Sequence, residues 1–418
     1  MKLNLLMYVA AFAMCRPLSG QHVTPIPTPL SILLTEAEAN NSQIAAADDV
    51  SRASAHTLQQ VNALPGPQFS IDSFNVGSPK PLAGFSNSEF AYIGLGISQE
   101  LPFPGKLKLR GEVAKREMQT QAANATIVRS SVAEQVKLLY LEISYSTAAI
   151  SYLKRTDSLL QSLIQDALSK YGLGRGSQSA IIKAQMERTK ILRQDTMHNE
   201  TLWQDQARLK QLLHRTQESS DIYPDPLVAT PFAFDQEELQ SQLRASNPTL
   251  LADASTVEKQ KAQLASARRD TKPDFTVGYA FQLTGEGYRD RHLISASMRL
   301  PNHTRVAGEI AQATEQSNQA KHEMDFDAQQ KLAELQEQYV ALTSTEELLN
   351  EFQQGLIPQA EAIFRSEESA YQSDKQELEP VLSALLDILA LESDYQQVLL
   401  DHETALVRIE TLTGRKIR

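Results

Sequence analysis

The side chains best suited to metal binding or nucleophilic chemistry in this chain are eight histidines and a single cysteine. His22, His56, His198, His214, His292, His303, His322 and His402 lie far apart, without the four-residue spacing that puts two on one helix face, and none stands in a ligand spacing with Cys15. No metal site, cofactor or catalytic constellation is therefore expected, and the chain does not read as an enzyme. His303, at a corner between elements, reads as an interfacial residue, and the lone Trp203, inside a helical run, as packing. Gly172, Gly174 and Gly176 crowd one stretch, YGLGRGS, but no Gly-Lys-Ser follows, so a phosphate loop is not expected. The net charge of -11 argues against nucleic acid, which needs a basic face. What remains is the chemistry of surfaces: apolar rows that meet lipid and glycines that admit another backbone.

Those surfaces need strands and long helices to carry them. FAYIGLGISQ alternates, with Ala91, Ile93, Leu95 and Ile97 on one face and Tyr92, Gly94, Gly96 and Ser98 on the other, the period of a strand between lipid and water. Phe69 and Ile71 alternate in the same way in QFSIDSFNV, and a polar loop, GSPKPLAGFSNSE, joins the two into a hairpin. DFTVGYAFQLT sets Phe275, Val277, Tyr279, Phe281 and Leu283 against small or polar residues, at about the ten-residue length that a tilted strand needs to span a bilayer. After the turn GEGYRDR, HLISASMRL places Ile294, Ala296, Met298 and Leu300 on its apolar face.

Pro102 and Pro104 end the second strand and hand over to a helix from Lys106 to Lys170, about 100 Å long at about 1.5 Å per residue. Its apolar seam, Val128, Val132, Val136, Leu139, Ile143, Ile150, Leu153, Leu160, Ile164 and Leu168, is narrow and implies helices side by side. The run breaks at YGLGRGS, and a second helix capped by Ser177 or Ser179 returns with Ile182, Met186, Leu192, Leu202, Leu209 and Leu213. Helix is also expected over Thr35 to Ala63, over Asp235 to Lys272 with a reset at Pro248, from Val306 with an interruption at Pro358, and from Glu379 to Leu412. No window reaches the run of apolar residues that a membrane helix needs.

Residues 1–20 have the lysine and short apolar run of a secretory signal peptide. Cys15 is either lost with that signal or lipidated, although Met14 is a poor neighbour for lipidation.

The chain then repeats itself. Pro67 in PQFSI and Pro273 in PDFTV are 206 residues apart, Leu101-Pro102 and Leu300-Pro301 are 199 apart, and Tyr171 and Tyr371 are 200 apart. The expected organisation is a first repeat over 21–215, a linker over 216–234 and a second repeat over 235–418, with an internal two-fold repeat. Each half supplies two strands. Four strands cannot close a barrel, so the chain is expected to oligomerise, and three copies would supply twelve.

In this order, SQELPFPGKLKLR at Ser98 to Arg110, YGLGRGSQSAIIKAQ at Tyr171 to Gln185, and IPQAEAIFRSEESAY at Ile357 to Tyr371 with the later LTG resemble the TolC-like outer-membrane efflux proteins, in particular their cobalt-zinc-cadmium resistance branch. The resemblance covers Thr35 to Gly414. It implies a mainly α fold with a small β part: long antiparallel helical hairpins forming a periplasmic α-barrel, and four strands per chain in a trimeric, twelve-stranded outer-membrane β-barrel. It also implies a passive exit duct, docked by a periplasmic adaptor (membrane fusion protein) that links it to an inner-membrane pump of the resistance-nodulation-division type, with heavy-metal cations or organic solutes as passengers.

Matched residue by residue, the resemblance places adaptor contacts at Tyr171, Gly172, Gly174, Gly176 and Ser177, and at Tyr371 and Asp374 of the second tip. A tight turn between helices explains the same glycines. Asp374 stands where the family has glycine, and its spacing to Glu377 suits a capping box. Glu367, Glu368 and Asp374, repeated by three-fold symmetry, would form an acidic ring at the entrance, the alternative being a solvated helix face. The lipid face of the barrel would comprise Ile93, Leu95, Phe275, Val277, Tyr279, Phe281, Ile294 and Met298. A periplasmic adaptor or a coiled-coil scaffold without a channel is the competing reading; neither accounts for DFTVGYAFQLT.

Overall fold

The computed structural model describes residues 27–77, 80, 89–284 and 289–415. Residues 1–26, with the expected signal peptide, Cys15 and His22, most of the first hairpin loop and the core of the GEGYRDR turn lie outside the described residues. Alternation of apolar and polar residues makes four strands where it was expected: β1 (Gln68–Phe74), β2 (Tyr92–Leu101), β3 (Asp274–Thr284) and β4 (Arg291–Arg299). They form one antiparallel sheet in the order β1-β2-β3-β4, so the two hairpins join through β2 and β3. Every residue of β1 and β4 is exposed, and both edges of the sheet are unpaired.

The helices are α1 (Leu30–Asn40), α2 (Ser42–Asn62), α3 (Lys106–Gly172), α4 (Gln178–Leu212), α5 (Gln236–Ser246), α6 (Pro248–Arg269), α7 (His303–Glu351), α8 (Ile357–Gln372) and α9 (Leu378–Thr413). At 67 residues, α3 spans about 100 Å. Between α7 and α8 the chain widens into a π-helical turn, Phe352–Leu356, immediately before Pro358. Proline has no amide hydrogen and clashes with the carbonyl four residues back, and the wider turn absorbs both effects without breaking the rod. No helix among the described residues is long and apolar enough to cross a membrane.

Three apolar clusters hold the rods together. One joins α3, α4 and α9 towards the hairpin tips, around Leu160, Ile164, Ile181, Ala184, Val381 and Leu382. The other two flank the middle of the molecule. Leu33, Ala37, Val136, Ile143, Leu209 and Leu212 build one; Leu239, Leu243, Leu335, Leu342, Ile409 and Leu412 build the other. Paired in that order, these positions are separated by the same intervals of 206, 199 and 200 residues that relate the sequence landmarks.

The segment between the halves has no regular structure, yet it is tied down along its length. Lys210 binds Asp221 at 2.8 Å, Gln206 exchanges two hydrogen bonds with the backbone of Ile222, and the Tyr140 hydroxyl accepts from the Asp225 amide at 2.8 Å. Further on, the fully buried Glu403 accepts from the amide and hydroxyl of Thr230 at 2.7 and 3.0 Å. It is an extended strap across the helices.

Several expectations change. The single helix over Thr35 to Ala63 is two helices, because Asn41 leaves helical geometry to cap α2. On α4 the buried row is Ala180, Ile181, Ala184 and Ile191, while Ile182, Met186 and Leu192 are exposed, as is Leu168 of α3. The alanines are small enough to sit against α3 and α9, and that turns the larger side chains outward. Trp203 is 65% exposed among the described residues and is not part of their buried core. No capping box forms: α9 starts at Leu378, so Glu377 stands at the N-cap position and not three residues into the helix, its side chain makes no cap, and Asp374 pairs with Lys170 instead. Ser177 does precede α4, but its hydroxyl bonds Ser179 at 2.6 Å instead of capping.

Candidate functional site: one sheet face and two hairpin tips

Strand register decides which side chains share a face. Leu95 stands opposite Phe281, Ile93 opposite Leu283, Tyr279 opposite Ile294 and Phe275 opposite Met298. All eight residues expected on the lipid face, Ile93, Leu95, Phe275, Val277, Tyr279, Phe281, Ile294 and Met298, thus lie on one side of the sheet. Register adds Phe69 and Ile71, which stand opposite Ile97 and Leu95 and extend the apolar face across β1. Ile71 is 77% and Ile294 84% exposed, so the face is open at both edges. Polar exceptions on it are satisfied locally: the Tyr279 hydroxyl and His292 Nδ1 share a hydrogen bond of 2.7 Å, and Gln99 donates to the Pro65 carbonyl at 2.6 Å.

The opposite face is built mainly from small and polar residues, with Phe74, Tyr92 and Leu293 as its large exceptions. Gly94, Gly96, Ser98, Thr276, Gly278, Ala280, Ser295 and Ser297 all fall there. A Cβ on Gly278 would stand 2.7 Å from the Ser295 hydroxyl, so glycine lets the strands pack closely on this face without turning that side chain aside. At its helical end the face carries charges in pairs. Lys106, almost fully buried, meets Asp274 at 3.0 Å and Asp270 at 3.5 Å, and Arg299 meets Glu100 at 3.4 Å.

At the far end of the rods, α3 turns into α4 and α8 into α9 with the same backbone. Gly174 donates to the Tyr171 carbonyl at 2.9 Å and Arg175 to that of Lys170 at 3.0 Å; Asp374 donates to Tyr371 at 3.2 Å and Lys375 to Ala370 at 2.9 Å. Gly174 has φ +77 and Asp374 φ +56, both left-handed. Aspartate tolerates that region better than most residues, so the second turn keeps the shape that glycine gives the first.

Asp374 also locks the two tips together. Its carboxylate meets Lys170 at 2.9 Å and Arg175 at 2.7 Å. These two cations, Lys170 first, hold its carboxyl below the usual aspartate range. Lys170 in turn donates to the Tyr371 carbonyl at 2.6 Å and sits 3.8 Å from the centre of the Tyr371 ring. Lys183 and Glu379 add a second bridge at 2.5 Å. Of the expected tip residues, Gly176, Ser177, Tyr371 and Asp374 line one cavity of about 540 Å³ between the hairpins. Tyr371 is only 4% exposed, and its hydroxyl has no hydrogen-bond partner among the described residues. Burial, and then the charges of Asp166, Asp374 and Glu377, push its pKa up.

Tyr171 and Gly172 lie on the outer side of the first turn, beside Leu173, which is 77% exposed. Glu367 accepts from Gln376, and Glu368 is half-buried on the same helix. Lys170 and Arg175 escaped sequence reading. The signal for them was the 200-residue interval, which superposes 170–175 on 370–375 and sets cations of one tip against Asp374 of the other.

No family model and no curated protein sequence matches the chain. Solved structures do. The outer-membrane channel OprN is similar over 93% of this chain and 90% of its own, with a TM-score of 0.81 and 15% identity. The outer membrane protein VceC from Vibrio cholerae matches over 93% and 97%, with a TM-score of 0.77 and 15% identity. The Campylobacter jejuni CmeC outer membrane channel matches over 99% and 94%, with a TM-score of 0.75 and 13% identity. The chain therefore has the fold of outer-membrane channel proteins, preserved along nearly its whole length although few residues are shared.

Proposed function

We propose that this chain is the outer-membrane channel of a tripartite efflux system and belongs to the TolC-like family. The observation that carries the reading is the four-stranded sheet, mainly apolar on one side and mainly small or polar on the other, with both edges open. In lipid an open edge leaves backbone groups unsatisfied, and four strands are too few to close on themselves. A homotrimer closing twelve strands resolves both problems. About ten residues at about 3.3 Å each, tilted by about 40°, give an apolar belt about 25 Å tall, matching the height of outer-membrane barrels. The small-residue face then lines the lumen and the apolar face meets outer-membrane lipid. The helical rods extend into the periplasm.

The rest of the assembly follows from the same reading. The chain enters the periplasm on the signal peptide of residues 1–20. An internal duplication is supported by the paired clusters and by Asn41 and Asn247, which occupy the same role in the two halves. The exposed first tip, with Tyr171, Gly172, Leu173 and Gly174, is where a periplasmic adaptor docks, and an inner-membrane pump of the resistance-nodulation-division type supplies the energy. Glu367 and Glu368 are the residues left for an acidic ring at the entrance, because Asp374 is neutralised by Lys170 and Arg175. The cobalt-zinc-cadmium branch, and heavy-metal passengers with it, rests on the sequence motifs alone. An adaptor or a coiled-coil scaffold has no use for the sheet.

Purified protein reconstituted in planar bilayers is expected to give discrete, ohmic conductance steps. A folded trimer that leaves the bilayer silent overturns the channel reading.

A further inference from the structure

A cleft of about 400 Å³ opens between α3, α4 and α9, above the apolar cluster that joins them. That volume lies within the range of small-molecule sites, about 300–1,000 Å³. Each helix offers one face to it at helical spacing: Tyr145, Ala149 and Tyr152 from α3, Ile191 and His198 from α4, Leu386, Leu389 and Ala390 from α9. Ala149 and Ala390 occupy positions where larger side chains would fill the gap. The floor is apolar and aromatic.

The charge at the rim is one-sided. Glu187 is neutralised by Lys190 at 2.8 Å, but Glu392 and Asp394 make no ion pair among the described residues. Burial raises the pKa of Glu392, and Glu361 adds to the effect while Arg155 opposes it. Burial lowers that of His198, against the pull of Asp195, so the imidazole stays neutral at pH 7 and does not repel a cation. The Tyr152 phenol, pushed up to about 12 by burial and then by Glu392, also stays neutral and presents an electron-rich ring. An aromatic, apolar cavity with two carboxylates that make no direct ion pair among the described residues is complementary to a ligand that is itself apolar and positively charged.

We propose that this cleft binds a lipophilic organic cation, its apolar body against Leu153, Ile191, Leu386 and Leu389 and its charge between the Tyr152 ring and the Glu392 carboxylate. A simple metal ion does not suit it, because an apolar floor cannot replace a hydration shell. The inference goes beyond the channel reading: it assigns a ligand site within one protomer and does not depend on the chain being a channel.

Tetraphenylphosphonium, a cation with an apolar shell, and tetraphenylborate, an anion of the same shape, provide the test. In equilibrium dialysis against full-length protein in detergent, tetraphenylphosphonium is expected to bind saturably and tetraphenylborate is not. Glu392→Gln removes the charge while keeping the shape, and it is expected to weaken binding roughly tenfold without loss of helicity. Leu389→Trp fills the cleft and abolishes saturable binding. Equal affinity of Glu392→Gln and wild type, or saturable binding of tetraphenylborate at the same site, overturns the proposal. Conductance separates the two readings. Wild-type protein that conducts but does not bind the cation sinks only this inference, whereas protein that binds it but does not conduct sinks the channel.

Discussion

Asp374 adopts φ +56 in a turn whose counterpart uses glycine, and its carboxylate meets cations on the other hairpin at 2.9 and 2.7 Å. Left-handed geometry costs a non-glycine residue about 1–2 kcal/mol, so the two ion pairs have a local penalty to offset. Asp374→Gly removes the penalty and the pairs together; Asp374→Asn keeps most of the shape and removes only the charge. Both variants are expected to loosen the tips, read as faster hydrogen exchange over 170–178 and 370–380, with the rods unchanged. The pH dependence has a definite sign. A carboxyl whose pKa is lowered on folding stabilises above its unfolded pKa and ceases to do so as pH falls through the lower folded value. Tip protection is therefore expected to stay constant from pH 7 to 5, after correction for intrinsic exchange, and to fall below about pH 4. In Asp374→Asn that fall disappears.

At the scale of elements, two buried asparagines join helix starts to helix ends. Asn41 accepts from the amides of Gln43 and Ile44 at the start of α2 and donates to the Leu212 carbonyl at 2.8 Å; Asn247 accepts from Thr249 and Leu250 at the start of α6 and donates to Leu412 at 2.9 Å. Losing a cap costs about 1 kcal/mol, and stranding a buried carbonyl costs about 1–3 kcal/mol. Asn41→Ala and Asn247→Ala are expected to destabilise by similar amounts, roughly 2–3 kcal/mol each, in denaturant unfolding of the solubilised protein. Aspartate caps as well as asparagine but cannot donate, so Asn247→Asp is not expected to restore stability. Both asparagines were invisible as tethers in sequence, because the carbonyls they reach lie 171 and 165 residues away. The strands were legible because alternation is a local signal and each face has one solvent. On α4 only the distal half of the buried row, Leu202, Leu209 and Leu213, was legible; nearer the tip Ile182, Met186 and Leu192 are exposed and Ala180, Ile181, Ala184 and Ile191 are buried, because only the neighbouring helices decide which residues fit. Trp203 was misread for a related reason: a large apolar residue in a helix implies burial only when partners cover its side, and among the described residues most of its surface is left uncovered.

For the whole molecule, the open edges are the strongest constraint. β1 begins the sheet and β4 ends it, and both are exposed throughout, while the mainly apolar face extends from Phe69 and Ile71 to Ile294 and Met298. In the proposed outer-membrane setting, a protomer alone would present both ladders to lipid, where each unmade backbone hydrogen bond costs several kcal/mol. Pairing β1 of one copy with β4 of the next satisfies every edge, provided that the ring closes. Closure is what distinguishes a barrel from an open chain of protomers. A Cys15→Ser background carrying Ile71→Cys together with one cysteine scanned along 292–298 is expected to form disulfides between copies and not within one. Because each copy has one β1 and one β4, three links close the ring, and non-reducing gels are expected to show a covalent trimer as the end point with dimer as its precursor. Accumulation of species beyond trimer would mean that the edges pair without closing. Crosslinks confined to single chains would mean that the sheet folds back on itself, and the twelve-stranded wall would be lost with it.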